Sequence, residues 1–155
     1  MLTGLYEPTA GDALIYNKRL TTELESIRQF IGVCPQHDTL FPELSVAEHL
    51  RFYGRLKLPS IAAGDLQCNV EETVASIGLS EKLDARSVAL SGGQKRKLSL
   101  GISLIGKNKV IFLDEPTSGM DPYSRRSTWN SLRANREGRC MVLTTHFMVS
   151  CDRPT

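Results

Sequence analysis

Two adjacent carboxylates, Asp114 and Glu115, close the apolar run Val110-Ile111-Phe112-Leu113. That run reads as a buried strand, and in open α/β sheets ligands gather outside the carboxyl ends of the strands. An Asp in that position can hold Mg²⁺ through an oxygen or a bound water. The neighbouring Glu can polarise a water for in-line attack. The same dipeptide, with Pro116 as a breaker behind it, also suits a plain solvated strand end. On these residues alone both readings stand.

A second candidate is Ser91-Gly92-Gly93-Gln94. S-x-x-Q is a capping box that starts a helix. The two glycines also let an anion approach backbone N–H groups at the positive end of that helix. Lys95, Arg96 and Lys97 follow in the first turn, where cations oppose the helix dipole. A purely structural start would carry acids there, so the basic run favours an anion site. His146, after Thr144 and Thr145, is a capping or surface residue by default, but at a strand end it could stabilise charge on a terminal phosphate. Gln36, after Val33-Cys34-Pro35, is a loop amide or a ligand to a metal-bound water. Asp121 before Pro122 reads as a helix N-cap.

These residues need elements to hold them. Met1 to Leu5, ending near Gly4, reads as the last turn of a helix. Ala13 to Tyr16 reads as a short strand, and Thr22 with Glu25 as a capping box for a short helix. Phe30 to Cys34 is a strand bounded by Pro35. Ser45 and Glu48 cap a helix whose buried face is Val46, Leu50, Tyr53 and Leu56. Pro59 to Gly64 is loop. Val70, Val74 and Ile77 line another helix, stopped at Gly78. Helices are expected from Gly93 to Ile105 and from Pro122 to about Arg136, with strands at Val110–Leu113 and Cys140–Thr144. Strands alternating with helices predict an α/β fold with a largely parallel sheet.

The chain has 155 residues and a net charge of +2, enough for one domain and without the strong basic footprint of a nucleic-acid binder. Its longest apolar stretch, Leu98 to Ile105, is too short to span a bilayer. The start lacks the pattern of a secretory leader. Four scattered cysteines, with Cys34 and Cys140 placed in strands expected to be buried, fit a reduced compartment. Cys34 and His37 share a C-x-x-H spacing, but there is no second half to make a zinc site.

The combination is more telling than any piece. A strand followed by Gln36, L-S-G-G-Q at Leu90–Gln94, an apolar strand followed by D-E, S-G-M-D at Ser118–Asp121, and a strand followed by His146 occur in one order. This order resembles the ATP-binding cassette (ABC) ATPase over nearly the whole chain. The wording G-V-C-P-Q-H-D, R-K-L-S, D-P-Y-S-R-R and T-T-H-F-M is similar to the eukaryotic A subfamily, which is associated with lipid movement across membranes. The resemblance implies a P-loop-NTPase-like, three-layer α/β core (1–37 and 108–155) with a helical subdomain (38–107). It implies ATP and Mg²⁺ as cofactors. Gln36 is then the Q-loop residue, near metal and the membrane-coupling surface, and Asp114 the metal carboxylate. Glu115 is the catalytic base, His146 the switch histidine and Asp121 the D-loop acid. Ser91, Gly92, Gly93 and Gln94 form the signature that meets ATP held by a second nucleotide-binding domain in a head-to-tail dimer. Transmembrane domains are the further partners, with the chain on the cytosolic side of a membrane.

The sequence also departs from that family. No G-x-x-x-x-G-K-[ST] phosphate loop is present, nor the strand that carries it, nor the A-loop aromatic. After Thr144–Met148 the usual acidic stretch is replaced by Val149-Ser150-Cys151. These departures predict a truncated domain of marginal stability, not competent in hydrolysis alone. The resemblance puts the phosphate-loop strand between the D-E strand and the His146 strand, which must then pair directly or leave backbone groups unpaired. Three further readings are a silent fragment that regulates an intact domain, a soluble ABC ATPase, and an incomplete gene product.

Overall fold

The structure, a computed structural model, describes residues 1–106 and 108–145. The chain begins in a turn closed by the Gly4 N–H on the Met1 carbonyl, 2.8 Å, and not in the predicted helical turn. A two-residue hairpin follows, β1 (Leu14–Ile15) against β2 (Lys18–Arg19). The first helix is α1 (Leu24–Arg28). The capping box predicted at Thr22 and Glu25 does not form. Position Glu23 is the N-cap, its carboxylate folds back onto the Arg19 N–H at 2.8 Å, and Glu25 pairs with Arg28 instead.

The sheet that matters is parallel. It consists of β3 (Ile31–Cys34), β4 (Val110–Asp114) and β5 (Cys140–Thr144), in that order. Cys34 lies opposite Leu113, and Asp114 opposite Thr144, so the three carboxyl ends are level. No strand separates β4 from β5. They pair over five residues, and the outer edges of β3 and β5 carry no further strand among the described residues. Exposure alternates along β5, and Cys140, predicted to be buried, is exposed.

Between β3 and β4 lie α2 (Val46–Lys57), α3 (Ala63–Ser76) and α4 (Gly92–Leu104). Both halves of the Ser45–Glu48 capping box are formed. Val46 and Leu50 are buried as predicted and Tyr53 packs partly buried against the core, but Leu56 is 64 % exposed, and Ala47, His49 and Gly54 are buried as well. The face turns because Gly54 meets α3, where a Cβ would stand 2.6 Å from Leu66 Cδ1. Helix α3 presents Val70, Val74 and then Ile77 to the interior, as its periodicity predicts. Gly78 ends it in the left-handed region at φ +67°. Helix α4 lies directly on β3, and Gly32 makes that approach possible: a Cβ there would sit 2.0 Å from the Ser103 carbonyl oxygen. Helix α5 (Pro122–Ala134) is the crossover that parallel pairing of β4 with β5 requires.

One apolar cluster joins Cys34, Ile111 and Leu113 of the sheet to Leu98, Leu100 and Leu104 of α4, and beyond them to α2 and α3. A smaller one, around Leu20, Ile27, Ile31 and Val110, uses the alternate strand positions. Both faces of the sheet therefore carry apolar packing, as parallel sheets require. Among the described residues no helix is long and apolar enough to cross a membrane.

Candidate functional site

The level carboxyl ends of β3, β4 and β5 bring three sequence-predicted segments to one edge. Gln36 is exposed two residues beyond β3. Asp114 is the exposed last residue of β4, and Glu115 follows it. Thr144 at the end of β5 donates its hydroxyl to Asp114 Oδ1 at 2.5 Å, which orients that carboxylate. The Glu115 N–H donates to the Thr144 carbonyl at 3.0 Å. Glu115 is 7 % exposed with φ +46°, a left-handed conformation that a residue with a Cβ adopts at a cost. The chain turns sharply there, and Ser118 N–H closes the turn on the Glu115 carbonyl at 3.0 Å. His146 lies outside the described residues.

Beneath this edge sits Arg96, which the sequence reads as part of a basic first turn that favours an anion site. It is instead 4 % exposed, and its guanidinium points inward. Nε donates to the Pro116 carbonyl at 3.2 Å. Nη2 donates to the carbonyls of Asp114 at 2.5 Å and Glu115 at 2.9 Å. Nη1 donates to the Pro35 carbonyl at 2.5 Å and to Asp38 Oδ1 at 3.2 Å. The same Asp38 oxygen accepts the Ser99 hydroxyl at 2.7 Å. A buried guanidinium needs such partners. The signal that could have found it is the helical spacing: Arg96 lies three residues before Ser99 and four before Leu100, on the buried face of α4.

The glycine turn has its own setting. Ser91 Oγ accepts the Gln94 N–H at 3.3 Å, and Gln94 Oε1 accepts the Ser91 N–H at 2.9 Å, so the capping-box reading holds in full. Gly92 is exposed. Ser91, Gly93 and Gln94 line a groove of about 420 Å³ together with Gly78–Lys82, Lys97 and Ser124. Neither Asp114 nor Glu115 lines it. Lys97 Nζ donates to Ser127 Oγ at 2.9 Å. The start of α5 is adjacent, since a Cβ on Gly93 would lie 3.4 Å from Ser124 Oγ. Asp121 caps α5 by accepting the Ser124 N–H at 2.9 Å. Hydrogen bonding from Ser124, its side chain first and its amide second, holds the Asp121 carboxyl below its ordinary value.

A hard divalent cation takes one or two carboxylates and the oxygens of a phosphate ligand. Among the described residues no three His, Cys, Asp or Glu side chains converge as a self-sufficient metal cage. The Asp114 carboxylate, oriented through one oxygen, and the Gln36 amide are both exposed at the same end of the sheet, and their oxygens suit the chemistry of a phosphate-borne Mg²⁺.

The family model described as ABC transporter matches residues 1–118. The chain is 49 % identical over 154 residues to the phospholipid-transporting ATPase ABCA3 of Rattus norvegicus. It is 46 % identical over 152 residues to ABC transporter A family member 6 of Dictyostelium discoideum. Each alignment takes in 98 % of this chain and 9 % of the relative, so the chain spans about a tenth of those proteins. Among solved structures, a dimeric post-hydrolysis state of the ATP-binding cassette MJ0796 bound to ADP and Pi superposes with a TM-score of 0.82 at 25 % identity. That match covers 94 % of this chain and 66 % of the other.

Proposed function

The chain belongs to the ABC transporter family, with A-subfamily relatives at 44–49 % identity, and on that premise we propose that it is the signature-bearing part of a nucleotide-binding domain. It works by coupling ATP to transport, with lipid as the cargo of the whole protein. Residues 1–37 and 108–155 are its share of the ATPase core, and 38–107 its helical subdomain.

One observation carries this reading. Gln36, Asp114 and Glu115 meet at one sheet edge, while Ser91–Gln94 opens on a separate groove. A chain whose carboxylates and signature turn do not share a surface suits a site completed by a second domain. The dimeric cassette MJ0796 is the precedent for such pairing. In this assignment Asp114 and Gln36 would hold Mg²⁺, which would supply neutralisation of the charge on the phosphates. Glu115 is assigned as acceptor of the proton of the attacking water, and His146 as the residue that stabilises charge on the terminal phosphate. Ser91, Gly92, Gly93 and Gln94 contact the ATP of the partner domain, beside Asp121. Transmembrane partners and a place on the cytosolic face of a membrane are assigned with it, and similarity to transporter relatives supports a membrane-associated whole.

The sequence contains no phosphate loop, so this chain alone is assigned weak nucleotide binding and no turnover. Charge-assisted contacts contribute ~1.5–3 kcal/mol each, and two of them are worth about a hundredfold or more in affinity. Calorimetry should therefore detect no saturable Mg²⁺–ATP binding to the chain below about millimolar concentration. A second reading rests on the signature turn, which is fully formed and exposed here: the chain lends that turn to an intact cassette and changes its rate. Mixing the chain with an intact cassette and measuring ATP turnover tests both. A change that disappears with Ser91→Arg supports the donated turn. Equal turnover in every mixture removes it.

A further inference from the structure

We propose that Arg96 is a positioning residue: its guanidinium fastens the segment Pro35–Asp38 to the turn Asp114–Pro116, so that the two move as one unit. The inference rests on the reading of Gln36, Asp114 and Glu115 as one site, and it assigns a part to a side chain outside that set.

The stoichiometry is the argument. A guanidinium has five N–H donors in a rigid planar fork. Arg96 meets five acceptors: the carbonyls of Pro35, Asp114, Glu115 and Pro116, and Asp38 Oδ1. Four of the five are backbone carbonyls, so the fork fixes main-chain position directly. Those carbonyls come from two segments far apart in sequence, one leaving β3 and the other leaving β4. The Cys34–Leu113 register holds the strands together, but it ends before either functional segment begins. Beyond that register, Arg96 bridges the two segments. Asp38 balances its buried charge and is itself held by the Ser99 hydroxyl one helical turn along α4. The fork also accounts for Glu115. That residue is held at φ +46°, and bonds to its own carbonyl and to those on either side keep the turn in that conformation. Because Arg96 stands two residues after Gln94, a shift of α4 at the signature turn is transmitted to the carboxylate turn through this one side chain.

A role in charge balance alone makes a different prediction from the fork. Lysine restores the charge but offers one nitrogen and no plane. The test is hydrogen–deuterium exchange on the whole chain with Arg96→Lys, Arg96→Met and Asp38→Asn. Peptides covering 34–38 and 114–118 should exchange about tenfold faster or more in both Arg96 variants. Peptides of α3 should stay within about twofold of the parent, because α3 makes no contact with the fork. Asp38→Asn, which keeps all four carbonyl bonds, should open 34–38 more than 114–118. Rescue by lysine overturns the proposal, as does opening of only one segment in Arg96→Met or an equal rise across the chain. If Arg96→Met does not fold, the lysine and Asp38→Asn variants decide. Exchange needs no nucleotide, so its outcome is independent of whether the parent chain engages ATP, and failure of the ATPase reading would show separately in calorimetry.

Discussion

Single residues in this protein owe their chemistry to where the backbone leaves them. Cys34 is the clearest case. Burial pushes its thiol up to about 11, with Arg96 opposing that rise. At pH 8 the thiolate is then scarce as well as inaccessible. Cys68 and Cys140 are exposed. Alkylation with iodoacetamide at pH 8, read by peptide mass spectrometry, should modify Cys68 and Cys140 within minutes. Cys34 should react only after denaturant is added; its early modification would mean that the core beneath the carboxylate edge is open. Asp114 and Arg96 make a complementary pair of lessons. The position of Asp114 follows from a recognisable strand. That of Arg96 follows from α4 packing on β3, which no local pattern states.

At the scale of elements, close approach and capping do the positioning. Gly32→Ala places a Cβ against the Ser103 carbonyl and must push α4 off β3. We expect a loss of ~2–3 kcal/mol and a melting point lower by about 5–10 °C, measured by circular dichroism. An unchanged melt would mean that the sheet and α4 are not in the contact described. Helix α2 offers a pH test. The carboxyl of Glu48 accepts the Ser45 N–H at 2.7 Å, and this bond, first among its causes, lowers its pKa below the ordinary 4.5. A group depressed on folding stabilises fully above its unfolded pKa and loses that contribution as pH falls through the folded one. Stability should therefore fall on acidification below about pH 4.5 by this route, and Glu48→Gln should flatten that part of the profile. Parallel acid profiles for parent and variant would refute the assignment.

For the whole molecule, the outer edge of β5 dominates. It offers main-chain groups of a five-residue strand, with Val142 39 % exposed, at the margin of a parallel sheet. Such edges invite pairing with another chain. The isolated chain should melt broadly at modest temperature and associate as concentration rises, seen by light scattering. Val142→Lys should reduce association. A sharp melt well above room temperature, independent of concentration, would contradict this picture of marginal stability.

The order of motifs along the chain determined the family, the parallel α/β class and the caps at Ser45, Ser91 and Asp121, because each depends on residues within a few positions of one another. Local patterns failed where a distant partner intervened. Glu23 displaced Thr22 at the start of α1, Gly54 rotated the buried face of α2, and Cys140 was left on an open edge. Tertiary structure alone decided that Arg96 faces inward, since five acceptors from two separate stretches of chain outweigh the helix dipole that a first-turn cation opposes. It also decided that the groove lined by the signature turn does not include the carboxylates, which cannot be read from spacing.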